Sequence, residues 1–335
     1  MKNINIPIVF SANNYYIPYT STAIQSIIEN ADKDRQYIFY ILYQEMSDNN
    51  IALLKKQVSL FPQFSINFIN VTKYIDKYDL FTSRHISLET YFRLLIPELL
   101  AEYQKAIYLD GDMICCTDIA SLYDINLENY LLAAVRDVGV SWYYSPNHSE
   151  EMKFLYSVLL HLKKPEDYFC AGMCILNIDL FRKTISTDEI FKLAASRQWQ
   201  VHDQDVLNYL AENKTFLLPF HWNFMYTPNA KYLPEYLQNE YLEAKENPRI
   251  IHYKPWTYKN YIPHFDLFWK YATRTPFIDI IIENMKEKGT VSDDSFESFA
   301  QQIILNIKKR AVGLRFILID CPKAWLSRDK KKRSV

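Results

Sequence analysis

Residues 4–12 (INIPIVFSA) are almost continuously apolar and predict a strand buried on both faces, followed by the loop Asn13-Asn14-Tyr15-Tyr16. Ala23, Ile24, Ile27 and Ile28 then recur at helical spacing. Residues 37–42 form a second apolar run, Ser47-Asp48 caps a helix carrying Ile51, Leu54 and Val58, and 65–70 alternates as a third strand. Two helical stretches are expected around 88–93 and 98–104. Further strands are expected at 106–109, 131–135, 173–178, 215–218 and 249–252, most of them separated by helices. Strands alternating with helices predict an α/β fold with a largely parallel sheet covered on both faces. Ligands of such sheets bind beyond the carboxyl ends of the strands, so polar residues at those ends are where chemistry belongs.

Composition narrows the chemistry. Hydrophobic residues make up 49% of 335 and charged residues 23%, which excludes a disordered or collagen-like chain. Only five glycines are present, at 111, 139, 172, 289 and 313, each isolated from the others. Neither G-x-G-x-x-G nor a glycine-rich phosphate loop can be built from them, so a nucleotide would have to be held by other means. Five cysteines (115, 116, 170, 174 and 321) give an odd count without a C-x-x-C pair, which points to a reducing compartment and structural thiols. No signal peptide and no run of 18 apolar residues is found.

The formal charge of −1 is unevenly spread. Residues 308–335 hold ten Lys/Arg and two Asp, a local +8 that leaves −9 for the rest of the chain. An acidic body argues against nucleic acid as a partner. Phe296, Phe299, Ala300, Ile303, Ile304 and Ile307 fall at helical spacing ahead of this basic tail, which also contains Trp325. Two readings stay open: a docked C-terminal helix with a solvated tail, or an anchor that meets anionic lipid from the cytoplasmic side. The expected organisation is therefore 1–260 as the main domain, 261–307 as a helical extension and 308–335 as the basic tail.

The strongest local pattern is Tyr108-Leu109-Asp110-Gly111-Asp112, an apolar strand ending in two acids one residue apart. Both carboxylates can converge at the strand mouth, where hard oxygen donors suit Mg²⁺ or Mn²⁺ carrying a diphosphate. A solvated D-G turn is the plain alternative. A second cluster, His202-Asp203-Gln204-Asp205, opens a helical pattern, and two acids around an amide exceed what one helix cap needs. His252 ends a third apolar segment, with Lys254-Pro255-Trp256 behind it.

In this order the elements resemble those of family 8 glycosyltransferases, retaining enzymes of the GT-A fold, over roughly residues 5 to 256. The resemblance implies a Rossmann-like, mixed but mostly parallel sheet. It also implies a UDP-sugar donor, Mn²⁺ or Mg²⁺ as cofactor, and a glycan acceptor, lipid-linked or not. By similarity Asp110, Asp112 and His252 hold the metal, with Gly111 between the acids. Arg93, in Ser87-Leu88-Glu89-Thr90-Tyr91-Phe92-Arg93-Leu94, contacts the donor. Asp203 binds the donor sugar, Gln204 sits by its anomeric carbon and Asp205 is the neighbouring carboxylate, the three forming the catalytic set. Ser11, Ala12, Asn13 and Tyr16 line the nucleotide, Tyr16 by stacking on the base; Ala171 and Lys254 complete the donor site. Asp137 and His85 face the acceptor.

Three positions depart from the family pattern. Asn13 stands where many members have an acid that reads the uracil edge, Cys170 replaces the asparagine of an N-A-G element, and the loop after His252 lacks its glycine. The expected reaction transfers a hexose, galactose or glucose, to a hydroxyl of lipopolysaccharide or another surface polysaccharide. A sugar nucleotidyltransferase and a catalytically eroded sugar-nucleotide-binding protein are the competing classes.

Overall fold

The computed structural model describes residues 5–82, 87–140, 158, 160, 167–253 and 262–287. Nine strands are found among them: β1 Asn5–Ser11, β2 Gln36–Tyr43, β3 Phe64–Asn70, β4 Lys105–Leu109, β5 Met113–Cys115, β6 Leu132–Arg136, β7 Phe169–Asn177, β8 Thr215–Leu218 and β9 Ile250–His252. Seven form one sheet in the order β3-β2-β1-β4-β7-β6-β8. Every pairing in it is parallel except those of β7, which runs antiparallel to both β4 and β6. The mixed, mostly parallel α/β sheet expected from the sequence is thus observed.

The apolar runs form strands because both faces are enclosed: Ile6, Ile8, Val9 and Phe10 of β1 are all fully buried. The helix Ile17–Asn30 follows β1 directly, with Pro18 in its first turn, where a missing N–H costs nothing. The helix Asp48–Val58 starts as expected at Ser47, whose side chain accepts from Asn50 N. Behind the sheet, the helix Phe265–Ala272 packs on Ile17–Asn30, with Tyr271 Oη 2.9 Å from Asn30 Nδ2 and an Arg274–Glu29 ion pair. A further helix spans Ile278–Glu287. Residues to Asn284 make one compact unit; a second begins at Met285, and the basic tail lies outside the described residues.

Three differences from the sequence reading matter. β7 begins at Phe169 rather than 173, because Phe169 and Cys170 pair with Arg136 and Val135 of β6; Ala171 and Gly172 lie in the register shift that follows, where Gly172 O accepts from Asp110 N. The helix expected over 98–104 is a single turn, Ile96–Leu99, that ends at Leu100 with φ −118° and ψ 38°. The third is an unanticipated ribbon: β5 pairs antiparallel with β9, Met113 opposite His252 and Cys115 opposite Ile250. Tyr253 N also donates to Asp112 O at 2.9 Å. The ribbon folds the far end of the chain back onto the mouth of β4.

Candidate active site

Asp110 follows the last residue of β4, and its amide donates to Gly172 O at 2.8 Å, anchoring it to β7. Two residues on, Asp112 leads into β5. The β5–β9 register then sets His252 Nε2 3.3 Å from Asp112 Oδ1 and 3.9 Å from Asp110 Oδ2. One donor atom from each of the three lies within 4.8 Å of the others. Gly172 keeps this space open: a Cβ there would come 2.8 Å from Asp110 Oδ2 and 2.7 Å from His252 Cε1. Gly111 has a different reason to lack a side chain, since a Cβ would collide with Thr20 of the helix beneath it.

The electrostatics of the cluster favour a cation. Burial pushes the Asp112 carboxyl up, with His252 pulling it back. Burial also opposes a proton on His252, yet the charge and hydrogen bond of Asp112 override it and hold the imidazole well above its usual value. Two carboxylates and an imidazole, partly withdrawn from water, are a donor set that Mn²⁺ or Mg²⁺ fits. Tyr16 belongs to the same neighbourhood: burial and then the charges of Asp112 and Asp110 raise its phenol.

Arg93 joins the metal-type cluster to the second acid group. It is only 6% exposed and its ring neighbour is Tyr108, 4.2 Å from the guanidinium carbon. Nη2 lies 3.0 Å from Asp110 Oδ1, Nη1 donates to Ala171 O at 2.5 Å, and Nε donates to Thr90 O at 3.0 Å. Asp203 Oδ2 is 2.8 Å from the same Nε, but that hydrogen already points to Thr90, so the contact is coulombic and Oδ2 has no aligned hydrogen bond. Asp203 Oδ1 accepts from the Thr90 hydroxyl. Burial, opposed by Arg93, raises the Asp203 carboxyl to about 6.

The helix His202–Leu210 supplies the remainder. Gln204 Oε1 accepts from Ala171 N at 2.9 Å, while Nε2 donates to Asp137 Oδ2 at 2.8 Å and to the Tyr168 hydroxyl at 3.1 Å. Asp205 faces the other way: Oδ1 accepts from Tyr168 Oη at 2.7 Å and Oδ2 from Val201 N at 2.9 Å. Asn208 ties the helix to β7 by exchanging hydrogen bonds of 2.9 Å with Phe169 N and O.

Asp110, Asp112, His252, Arg93, Ala171, Asp203, Gln204 and Asp137 are thereby linked through direct contacts. Ser11 and Ala12 are at the end of β1, where Ala12 is fully buried and its amide donates to Leu42 O at 3.0 Å. Asn13 Oδ1 accepts from both Tyr15 N and Tyr16 N at 3.0 Å, so this carbonyl shapes the loop. His85 and Lys254 lie outside the described residues. Tyr168, Asn208 and Asn223, which hydrogen-bonds His252, were not singled out in the sequence. Tyrosines are abundant throughout the chain, and the two asparagines carry no motif that separates them from helix and turn residues.

A family model described as Glycosyl transferase family 8 matches residues 7–260. The General stress protein A of Bacillus subtilis is 26% identical over 80% of this chain and 93% of its own length. The lipopolysaccharide 1,2-glucosyltransferase of Escherichia coli is 26% identical over 76% of this chain and 75% of its own. Two other curated relatives are longer, the chain spanning 62% and 60% of them. Among solved structures, the apo form of the WbbM bifunctional glycosyltransferase superposes with a TM-score of 0.74 and 26% identity, covering 83% of this chain and 51% of that one.

Proposed function

Because the chain belongs to glycosyl transferase family 8, we propose that it moves a hexose, glucose or galactose, from a UDP-sugar to a hydroxyl of a surface glycan with retention of anomeric configuration. The observation that carries this reading is the junction of two acid groups. Asp110, Asp112 and His252 converge at the mouth of β4, and Arg93 connects Asp110 to a buried Asp203 with one oxygen lacking an aligned donor. The similarity to a lipopolysaccharide glucosyltransferase supports a lipopolysaccharide-type acceptor.

Asp110, Asp112 and His252 would hold Mn²⁺ or Mg²⁺, which when bound neutralises charge developing on the departing diphosphate. Tyr16 and Asn13 take the base, and Asp203 Oδ2 accepts a hydroxyl of the donor sugar, supplying the hydrogen bond that the fold leaves unmade. Arg93 is enclosed by Asp110, Asp203, Thr90 and Ala171, so it acts by holding the two acids in fixed relation. Gln204 does the same between β7 and Asp137.

Retention follows from same-face attack. The acceptor oxygen bonds to the anomeric carbon as the carbon–phosphate oxygen bond breaks, and the acceptor proton passes to a phosphate oxygen. Asp205 has both oxygens engaged by Tyr168 and Val201, and the Gln204 amide is engaged at both ends, so neither is free to attack. A glycosyl adduct trapped on Asp203 during turnover would overturn this route. The basic tail, with its aromatic and aliphatic residues, is proposed to bring the enzyme to an anionic membrane surface.

The direct test is UDP release from UDP-glucose, UDP-galactose and UDP-N-acetylglucosamine, with Mn²⁺ and with chelator. Metal-dependent release from one hexose donor, abolished in Asp112→Asn, is expected. Equal release by Asp112→Asn with the metal requirement intact would defeat the assignment.

A further inference from the structure

Resting on the metal-site reading above, we infer that Asn223 is a positioning residue that fixes the ring of His252 so that its Nε2 lone pair is presented to the cation. A neutral imidazole has one N–H and one lone pair, and the hydrogen bond made at one nitrogen decides which is where. Nε2 is the nitrogen that faces Asp112 and Asp110. Nδ1, on the far side of the ring, has two neighbours: Asn223 Oδ1 at 3.2 Å and Cys170 Sγ at 4.0 Å. The amide oxygen is both nearer and the far better acceptor, so Nδ1 carries the hydrogen and donates it to Asn223.

The backbone fixes this arrangement in advance. Asn223 closes the short 3₁₀ turn Phe220–Asn223 that follows β8 and is only 4% exposed. The next residue clamps β9 from both sides: Phe224 N donates to Ile250 O at 2.9 Å and His252 N donates to Phe224 O at 2.9 Å. Residues 223 and 252 are therefore held in register by main-chain bonds on either side of the side-chain contact, and the ring cannot turn without breaking the Asn223 bond. Outer partners of this kind are worth about 10–100-fold in metal affinity. Metal-binding His252 is read from the sequence pattern, whereas its orienting partner comes from a segment almost thirty residues away.

The test is Mn²⁺ binding in the presence of UDP, followed by loss of the free-ion electron paramagnetic resonance signal, with thermal melting as the check on folding. Asn223→Leu, which is similar in size but offers no acceptor, should weaken Mn²⁺ by about 10-fold or more. Asn223→Asp, which can only accept, should keep Mn²⁺ affinity within about 3-fold of the unaltered protein or tighten it. Cys170→Ala should leave Mn²⁺ affinity unchanged. Undiminished binding by a folded Asn223→Leu would overturn the inference. So would equal loss in Asn223→Asp, which would mean that the amide donates instead, and so would loss in Cys170→Ala, which would make the thiol the partner. Failure of the unaltered protein to bind Mn²⁺ would instead defeat the metal reading on which the inference stands. Where Asn223→Leu fails to fold, the Asp and Cys170 variants still decide the matter.

Discussion

Asp203→Asn should stabilise the protein in a pH-dependent way while abolishing transfer. Asp203 is 3% exposed, and its carboxyl is raised from 3.8 to about 6, chiefly by burial and in spite of Arg93. A carboxyl that holds its proton more tightly in the fold than in the unfolded chain favours folding below 3.8, and that contribution is lost as pH climbs through 6. At about 1.4 kcal/mol per tenfold change in proton affinity, the ionised group costs the fold about 3 kcal/mol once pH exceeds 7. The attraction of Arg93 is already part of that balance. An asparagine does not titrate and can still accept from the Thr90 hydroxyl, so the variant escapes the cost. Urea unfolding of both proteins, metal-free with chelator, at pH 4.5 and 7.5 should show the variant gaining about 2 kcal/mol on the parent between the two, the remainder having accrued below pH 4.5. A stability difference that does not change with pH, or that moves toward the parent at pH 7.5, would refute the reasoning. Loss of UDP-sugar turnover together with a gain in stability is the pattern expected when a fold tolerates a strained charge for its chemistry.

Gly172→Ala should weaken Mn²⁺ by about tenfold with little change in melting temperature, because its Cβ enters the gap between Asp110 Oδ2 and His252; isothermal titration reads this, and unchanged affinity would mean the gap is not the metal site. Gly111→Ala should instead lower stability by ~1–3 kcal/mol, since Thr20 is fully buried and cannot move aside; denaturant unfolding with an unchanged midpoint would contradict it. Removing residues 308–335 should release the protein from anionic vesicles while sparing donor hydrolysis, and equal co-sedimentation of the shortened chain would end the membrane proposal.

The sheet and the acid pair Asp110 and Asp112 were legible because they are local. The apolar run of β4 ends at Asp110 and Asp112, and no other part of the chain is needed to see that the acids share a strand mouth. The same holds for β1–β3, whose alternation with helices survives in the sequence as clean hydrophobic periods. What brings His252 to those acids is not local. β5 and β9 are three residues each, too short for a period, and their pairing joins segments far apart in the chain. Gly111 shows a subtler limit: its place between two acids gives no sign that a side chain there would collide with Thr20. Arg93 and Gln204 are recognisable by motif, but several of the bonds that hold them go to main-chain groups of Thr90 and Ala171, which leave no trace in residue identity.

The β5–β9 ribbon has a consequence for the order in which the enzyme is made. Synthesis proceeds from the N-terminus, and β8, the last strand of the seven-stranded sheet, is complete at Leu218. Asp110 is by then bonded to Gly172 of the sheet, but Asn223, His252 and Tyr253, whose amide bonds the Asp112 carbonyl, have still to leave the ribosome. The nascent chain thus passes through a stage in which the scaffold exists without the His252–Asp112 contact. Asp110, Asp112 and His252 come together only when β9 docks on β5 and closes the ribbon.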